Sequence, residues 1–361
     1  MLPDQPLTGD PTRGDDSLLD LAALERHLAG HGLVLDRDFG ARRFSRGFGN
    51  VNFLVKVDGE HAVLRRPPPG PLPRGANDMG REYLILSHVR ARFPFVPEAL
   101  HFCDDLDVLG VPFLLMEYCP GIVIADEMPQ PLLYGWRSAE PPGAVLARRM
   151  ATLLVRLHEI PPQEVGLERL GRPDGFVERS VRGWRERALS SWDHQPPQSV
   201  AMLVEWLESH APEGSCVSLI HNDFKLDNII LDEATLAPRA VIDWDMGTLG
   251  HPLYDLAILL SYWTEGSDPP AMHDLKQMPT ARHGFPGREA MARLYGELSG
   301  VPLDDLPYFR VLASLRLAVV FRQIYRRFRA EGAGEERLSA FRGLADGLAE
   351  FGVDVARGRY F

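Results

Sequence analysis

Between positions 221 and 232 the chain reads HNDFKLDNIILD, crowding a histidine, carboxylates, asparagines and a lysine ahead of the apolar run Ile229-Ile230-Leu231. Ile229–Leu231 and Ala240–Ile242, separated by the polar loop Asp232–Arg239, predict the two arms of a β-hairpin. That pairing sets Asn228 and Asp243 opposite each other at the open end, where cross-strand neighbours lie about 5 Å apart. An amide oxygen and a carboxylate at that separation form a hard-oxygen site suited to Mg2+, which takes few protein ligands and fills its shell with substrate phosphates. Asp223 lies on the same loop, ahead of Asn228. Asp and Asn are also common in turns, but two matched spacings around one hairpin favour the chemical reading.

These residues need elements to hold them. Ser17–Leu28 has leucines at helical spacing after a Pro-, Gly- and Asp-rich stretch, 1–16, that predicts a mobile tail. Asn52–Val57, a turn at Asp58-Gly59 and His61–Arg65 predict a hairpin. Met79–Arg90 is helical in period, Phe113–Tyr118 reads as a strand, and Cys119-Pro120-Gly121 suits a hinge. Beyond it helices dominate, beginning with Val145–Ile160, and Val217–Ile220 joins the two hairpin arms as a small β island.

D-x-x-x-x-N followed by strand, turn, strand and a second Asp is the metal-and-base arrangement of kinase-type phosphoryl transfer. His221–Asn228 resembles the catalytic loop of protein kinases. With Ile242-Asp243-Trp244-Asp245 and the continuation Met246–Leu256, the chain is more similar to the aminoglycoside phosphotransferase and choline kinase group. Val63-Leu64-Arg65-Arg66-Pro67-Pro68-Pro69-Gly70 and Gly171-Arg172-Pro173-Asp174-Gly175-Phe176 resemble most the phosphotransferase-like domains related to those fused to some acyl-CoA dehydrogenases. The resemblance covers roughly residues 35 to 330. It implies an α+β, bilobal protein-kinase-like fold, with a small β-rich N-lobe over 17–118 and a larger, mainly α-helical C-lobe over 119–361 sharing a cleft.

By that resemblance Asp223 orients or deprotonates the attacking hydroxyl, Lys225 meets the charge of the transferring phosphoryl group, and Asn228 and Asp243 hold Mg2+ on the phosphates of ATP. His221 is expected to pack and bond backbone, and Asp255 to cap a helix or brace the loop. Ser45-Arg46-Gly47-Phe48-Gly49-Asn50 would bring backbone N–H groups of a Gly47/Gly49 turn to the phosphates, although it lacks the full G-x-G-x-x-G pattern. Arg65 stands where the kinase strand carries lysine, a departure that keeps the charge but changes the fork. Glu82 would pair with Arg65, and Glu117 and Cys119 would lie in the segment that meets adenine through its backbone.

The acceptor is expected to be a small molecule, because Asn222 replaces the arginine that serves activation-loop phosphorylation in protein kinases and no A-P-E follows Asp243. Clusters at Arg169, Arg172, Arg179, Arg182, Arg185 and Arg187, and at Arg322, Arg326, Arg327 and Arg329, suit an anionic, acyl-CoA-like hydroxyl acceptor. They also suit a solvated helix face with partners such as Glu178 and Glu186. An antibiotic or choline-type kinase and a catalytically silent nucleotide-binding module are the alternatives.

A formal net charge of −11 argues against a broad nucleic-acid surface. Hydrophobic residues at 45% and charged residues at 25% predict a globular chain with a sizeable core. Cys103, Cys119 and Cys216 are widely spaced and outside any CxxC pattern, as expected for a reducing cytoplasm. No apolar leader or membrane-length run is read in the sequence, so neither export nor a membrane anchor is expected.

Overall fold

The computed structural model describes residues 19–44, 49–68, 77–214, 216–332 and 334–361. Outside them lie 1–18, read above as the tail and the start of the first helix, residues 45–48 of the glycine turn with Gly47, and the Pro69-Gly70 end of the proline-rich motif. The chain divides into two compact units. One holds the chain up to Val123 with Gln163–Leu167 and Asn228–Gly247, and the other holds Ile124–Pro162, Glu168–Asp227 and Thr248–Phe361.

The first unit is built on an antiparallel sheet of β1 (Arg42–Arg43), β2 (Val51–Val57), β3 (Glu60–Arg66), β4 (Ala99–Cys103) and β5 (Phe113–Glu117), in the order β1-β2-β3-β5-β4. The β2–β3 turn places Asp58 and Gly59 at φ 53° and 84°. Two left-handed residues give the turn whose twist matches the flanking strands, and Asp-Gly is a sequence that accepts it. Phe53, Val55, Leu64, Phe113 and Leu115 pack with Leu24 and Leu28 of helix α1 (Leu21–Gly30). Each such burial stabilises by about 1.5–3 kcal/mol. Asp20 caps α1, its carboxylate accepting from Ala22 N at 3.0 Å and Ala23 N at 2.9 Å. Strand alternation turns Arg65 away from the face of Leu64. Helix α2 (Met79–Val89) packs against β4 and β5.

Of the later short strands, β6 (Ser218–Ile220) belongs to the second unit, whereas β7 (Ile229–Leu231) and β8 (Pro238–Val241) complete the first. β7 and β8 form the expected hairpin with its second arm displaced by one residue, Ile229 pairing with Val241, and the register shifts again between Ile230 and Leu231. Ile242 N donates to Asn228 O at 2.9 Å. Ile242 therefore sits across from Asn228, and Asp243 follows one residue later at φ 72°, where the backbone turns out of the strand. A bridge between Ile122 and Leu231 and a 2.9 Å bond from Ile122 N to Leu231 O tie the hairpin to the rest of this unit.

In the second unit β6 pairs with β9 (Thr248–Gly250), so the expected island is two separate two-stranded ladders. The helix Pro142–His158 opens earlier than its apolar period predicts, because Pro142 suits the first helical turn, where no N–H is needed. Helix Leu306–Ala330 packs along Glu335–Ala356 and Pro252–Ser261. Pro252–Ser261 is buried over its whole length, which explains an apolar run with no polar face. Among the described residues no helix is long and apolar enough to cross a membrane.

Candidate active site

Within the first unit the site is organised by Arg65. Its Nε donates to Glu82 at 2.7 Å and its terminal nitrogen donates to Asp243. The guanidinium is nearly fully buried and Glu82 wholly so. Burial opposes the charge on Arg65, but Asp243 and then Glu82 outweigh it and keep the group protonated. A second helix-to-loop link is the Trp244 N–H, which donates to the other Glu82 oxygen at 3.3 Å. The substitution of arginine for lysine is thus used twice, with one fork holding a helix carboxylate and a hairpin carboxylate together.

Asp245, which the sequence leaves without an assigned role, is buried. Its carboxylate accepts from Asn50 Nδ2 at 3.2 Å and from Asn77 N at 3.0 Å, and Asn77 Nδ2 donates to Asn50 Oδ1 at 2.8 Å. Burial first, then the charge of Asp243, pushes Asp245 up to about 8, with Arg65 pulling the other way. Two carboxylates in such mutual repulsion form a donor set that a divalent cation relieves. In this structure Arg65 supplies the positive charge at Asp243. Asn228 is buried next to β7 and its amide is a hard-oxygen donor like the two carboxylates, so by donor chemistry these residues fit Mg2+.

The remaining expected positions in this unit are less specific. A Cβ at Gly49 would lie 3.9 Å from Asn77 Nδ2, an ordinary contact, so packing alone does not demand glycine there. One Glu117 carboxylate oxygen accepts from Arg90 at 2.8 Å and from Glu98 N at 2.9 Å, and Glu117 N donates to Glu98 O at 2.9 Å. Burial, followed by the Glu117 charge, raises the Cys119 thiol to about 11, so it stays neutral.

Within the second unit the loop that begins at His221 is tied down by hydrogen bonds. Asp255, in the first turn of Pro252–Ser261, accepts from His221 N and Asn222 N, both at 2.6 Å. It braces the loop, while His251 caps the helix by accepting from Leu253 N at 3.2 Å. His158 Nε2 lies 3.3 Å from Asp255 Oδ2, and His158 Nδ1 lies 2.7 Å from Tyr295 Oη. His221 is wholly buried and its Nδ1 accepts from Asp223 N at 3.3 Å, a structural role.

Two partners of Asp223 escaped the sequence reading. Arg316, on Leu306–Ala330, donates to Asp223 Oδ1 at 3.0 Å and to Asn222 O at 2.9 Å, and Tyr262 Oη donates to Asp223 Oδ1 at 3.2 Å. Lys225 Nζ lies 3.9 Å from Asp223 Oδ2 and donates to Asp227 at 2.8 Å. Burial would raise Asp223, but Lys225 and then Arg316 outweigh it and hold the carboxyl at about 2. A signal for Arg316 existed: it is a charge within the apolar run Val311–Val319, and a buried arginine needs an anion.

A model of the phosphotransferase enzyme family matches residues 40–294. The chain belongs to that family. Among its relatives is acyl-CoA dehydrogenase family member 10 of Mus musculus, 29% identical over 339 residues, which make up 92% of this chain and 31% of that protein. The chain thus spans about a third of that relative's length. A crystal structure from Ralstonia eutropha JMP134, of a protein assigned as an aminoglycoside phosphotransferase, superposes with TM-score 0.74 at 23% identity, covering 94% of this chain and 98% of the other. A thermostable mutant of aminoglycoside phosphotransferase APH(4)-Ia in ternary complex with ADP and hygromycin B gives TM-score 0.56 at 16% identity, with 91% and 98% covered. These likenesses establish the mixed α+β protein-kinase-like fold expected from the sequence. As a member of the phosphotransferase family, the chain carries its Asp223–Asn228 loop and its Asp243 hairpin inside the matched region.

Proposed function

We propose that this phosphotransferase moves the γ-phosphoryl group of ATP, with Mg2+, to the hydroxyl of a small metabolite. The observation that carries the reading is the Asp223 carboxylate, ionised and fixed by Arg316 and Tyr262 on a loop that Asp255 braces. Asp223 orients the acceptor hydroxyl and takes its proton as the new oxygen–phosphorus bond forms and the bond to the β-phosphate oxygen breaks. Its low proton affinity makes orientation the larger part of that role. Lys225 would face the transferring group, Asn228 and Asp243 would hold the metal, and Arg65, set by Glu82, would grip phosphate. Gly49 lies toward the phosphates, and the backbone of Glu117–Cys119 meets the base. When bound, Mg2+ neutralises the charge on the phosphate chain.

For the acceptor we favour a hydroxyacyl-CoA-like molecule. Support comes from the relative named as an acyl-CoA dehydrogenase family member. The arginine clusters add little. Arg179 donates to the carbonyls of Arg172 and Asp174, Arg185 pairs with Glu208 at 2.8 Å, Arg326 with Asp193 at 3.3 Å, and Arg322 lies over Tyr325. Much of that positive charge serves the fold.

Purified protein assayed for Mg2+-dependent ATP turnover against hydroxyacyl-CoAs, aminoglycosides, choline and homoserine-type alcohols is expected to select a hydroxyacyl-CoA. Selection of an aminoglycoside would reverse the acceptor assignment. Nucleotide binding with no turnover on any acceptor would reduce the chain to a silent nucleotide-binding module.

A further inference from the structure

Away from these groups, three imidazoles converge within the first unit. His27 and His31 lie one helical turn apart at the C-terminal end of α1, and His101 lies on β4, an edge strand of the sheet. One ring nitrogen from each comes within 4.8 Å of the other two. His27 Nε2 and His101 Nε2 are 2.8 Å apart. The geometry points to a binding site for a divalent transition-metal ion of the Zn2+ class, held by His27, His31 and His101, that ties α1 to the edge of the sheet.

The tautomers suit this. His31 Nδ1 lies 2.8 Å from His27 O, and a carbonyl only accepts, so Nδ1 carries the hydrogen and Nε2 keeps its lone pair. An imidazole oriented through a carbonyl in this way is a common feature of metal ligation. Tetrahedral ligands at about 2.0–2.1 Å from Zn2+ stand roughly 3.4 Å from one another. The close His27–His101 pair therefore has to open and His31 to swing in, changes within reach of side-chain rotation. Three imidazoles without a thiolate or carboxylate select Zn2+, Co2+, Ni2+ or Cu2+ over the oxygen-loving Mg2+. His31 is exposed while His27 and His101 are half-buried, which leaves an entry path and room for water as a fourth ligand. Asp105 is close enough to act on His27, adding a favourable negative charge.

The test uses the full chain without a polyhistidine tag, stripped of metal, titrated with Zn2+ by calorimetry and with Co2+ by visible absorption. One equivalent is expected to bind saturably, with Co2+ bands of a four- or five-coordinate ion and a rise in the unfolding midpoint. His31→Ala removes an exposed ring without touching the core and is expected to weaken binding at least about 10-fold, the loss that accompanies even a lost supporting partner. His101→Gln is expected to abolish it. Absence of a stoichiometric site, or equal affinity in the wild type and both variants, would overturn the proposal and leave the three rings as neutral packing around Phe113.

Discussion

At the scale of single residues the chemistry rests on Asp223 and what surrounds it. Asp223→Asn keeps the shape but removes the carboxylate that orients the hydroxyl and accepts its proton, so kcat is expected to fall about 10²–10⁴-fold with little change in nucleotide affinity, read by steady-state kinetics and nucleotide titration. Arg316→Gln takes away one of the charges that hold Asp223 at about 2. In that variant the carboxyl binds a proton at higher pH, and the acidic limb of the rate profile is expected to move upward, a change a purely structural arginine would not produce. Arg65→Met strands Glu82 inside the protein and is expected to cost about 3–5 kcal/mol in denaturant unfolding, most of it recovered by Arg65→Met/Glu82→Leu. The loop motif and the Arg65–Glu82 pair were legible because their order along the chain is distinctive. Arg316, Tyr262, Asn50 and Asn77 were not, because their partners lie far away in sequence and helical or strand period does not say which polar group turns inward.

At the scale of elements, turns and hairpins carried the clearest signals. Asp58-Gly59 announced β2–β3, and the apolar period announced α2 and Pro142–His158 within a few residues. β9 was missed because Thr248-Leu249-Gly250 is short and ends in glycine, and its pairing with β6 depends on tertiary context rather than on local preference. Register in the β7–β8 hairpin was off by one, Ile229 pairing with Val241 rather than Ile242, because neither the turn nor the irregularity at Ile230/Leu231 that together set it leaves a mark in the sequence. Gly121 shows how tightly that hairpin is seated. A Cβ there would stand 2.5 Å from Leu231 O and 2.7 Å from Ile230 Cγ2, at φ 156°. Gly121→Ala is expected to destabilise by about 1–3 kcal/mol and to loosen amide protection at Ile122 and Leu231, measured by urea unfolding and hydrogen exchange.

For the whole molecule, the family supplied a phosphotransferase, but acidity also shapes stability. His251 caps Pro252–Ser261 through a neutral ring stacked on Phe309 with centroids 4.3 Å apart. Burial lowers it to about 4 from 6.5, with Asp305 opposing. A histidine that resists protonation when folded gives stability that is complete above pH 6.5 and lost as pH falls toward about 4. The wild type is therefore expected to lose stability across that window faster than His251→Asn, which can still cap the helix but does not titrate, by thermal unfolding at stepped pH.

The first unit draws its last segment, Asn228–Gly247, from far along the chain. During synthesis at about 5–20 residues per second, the strand bearing Arg65 emerges many seconds before Asp243 exists. The nascent sheet must wait with a buried cation only half neutralised and with the seat for Leu231 open at Ile122. A ribosome paused in this interval would present a sticky, incomplete intermediate, and chaperone occupancy should peak there and drop once residue 247 has cleared the exit tunnel.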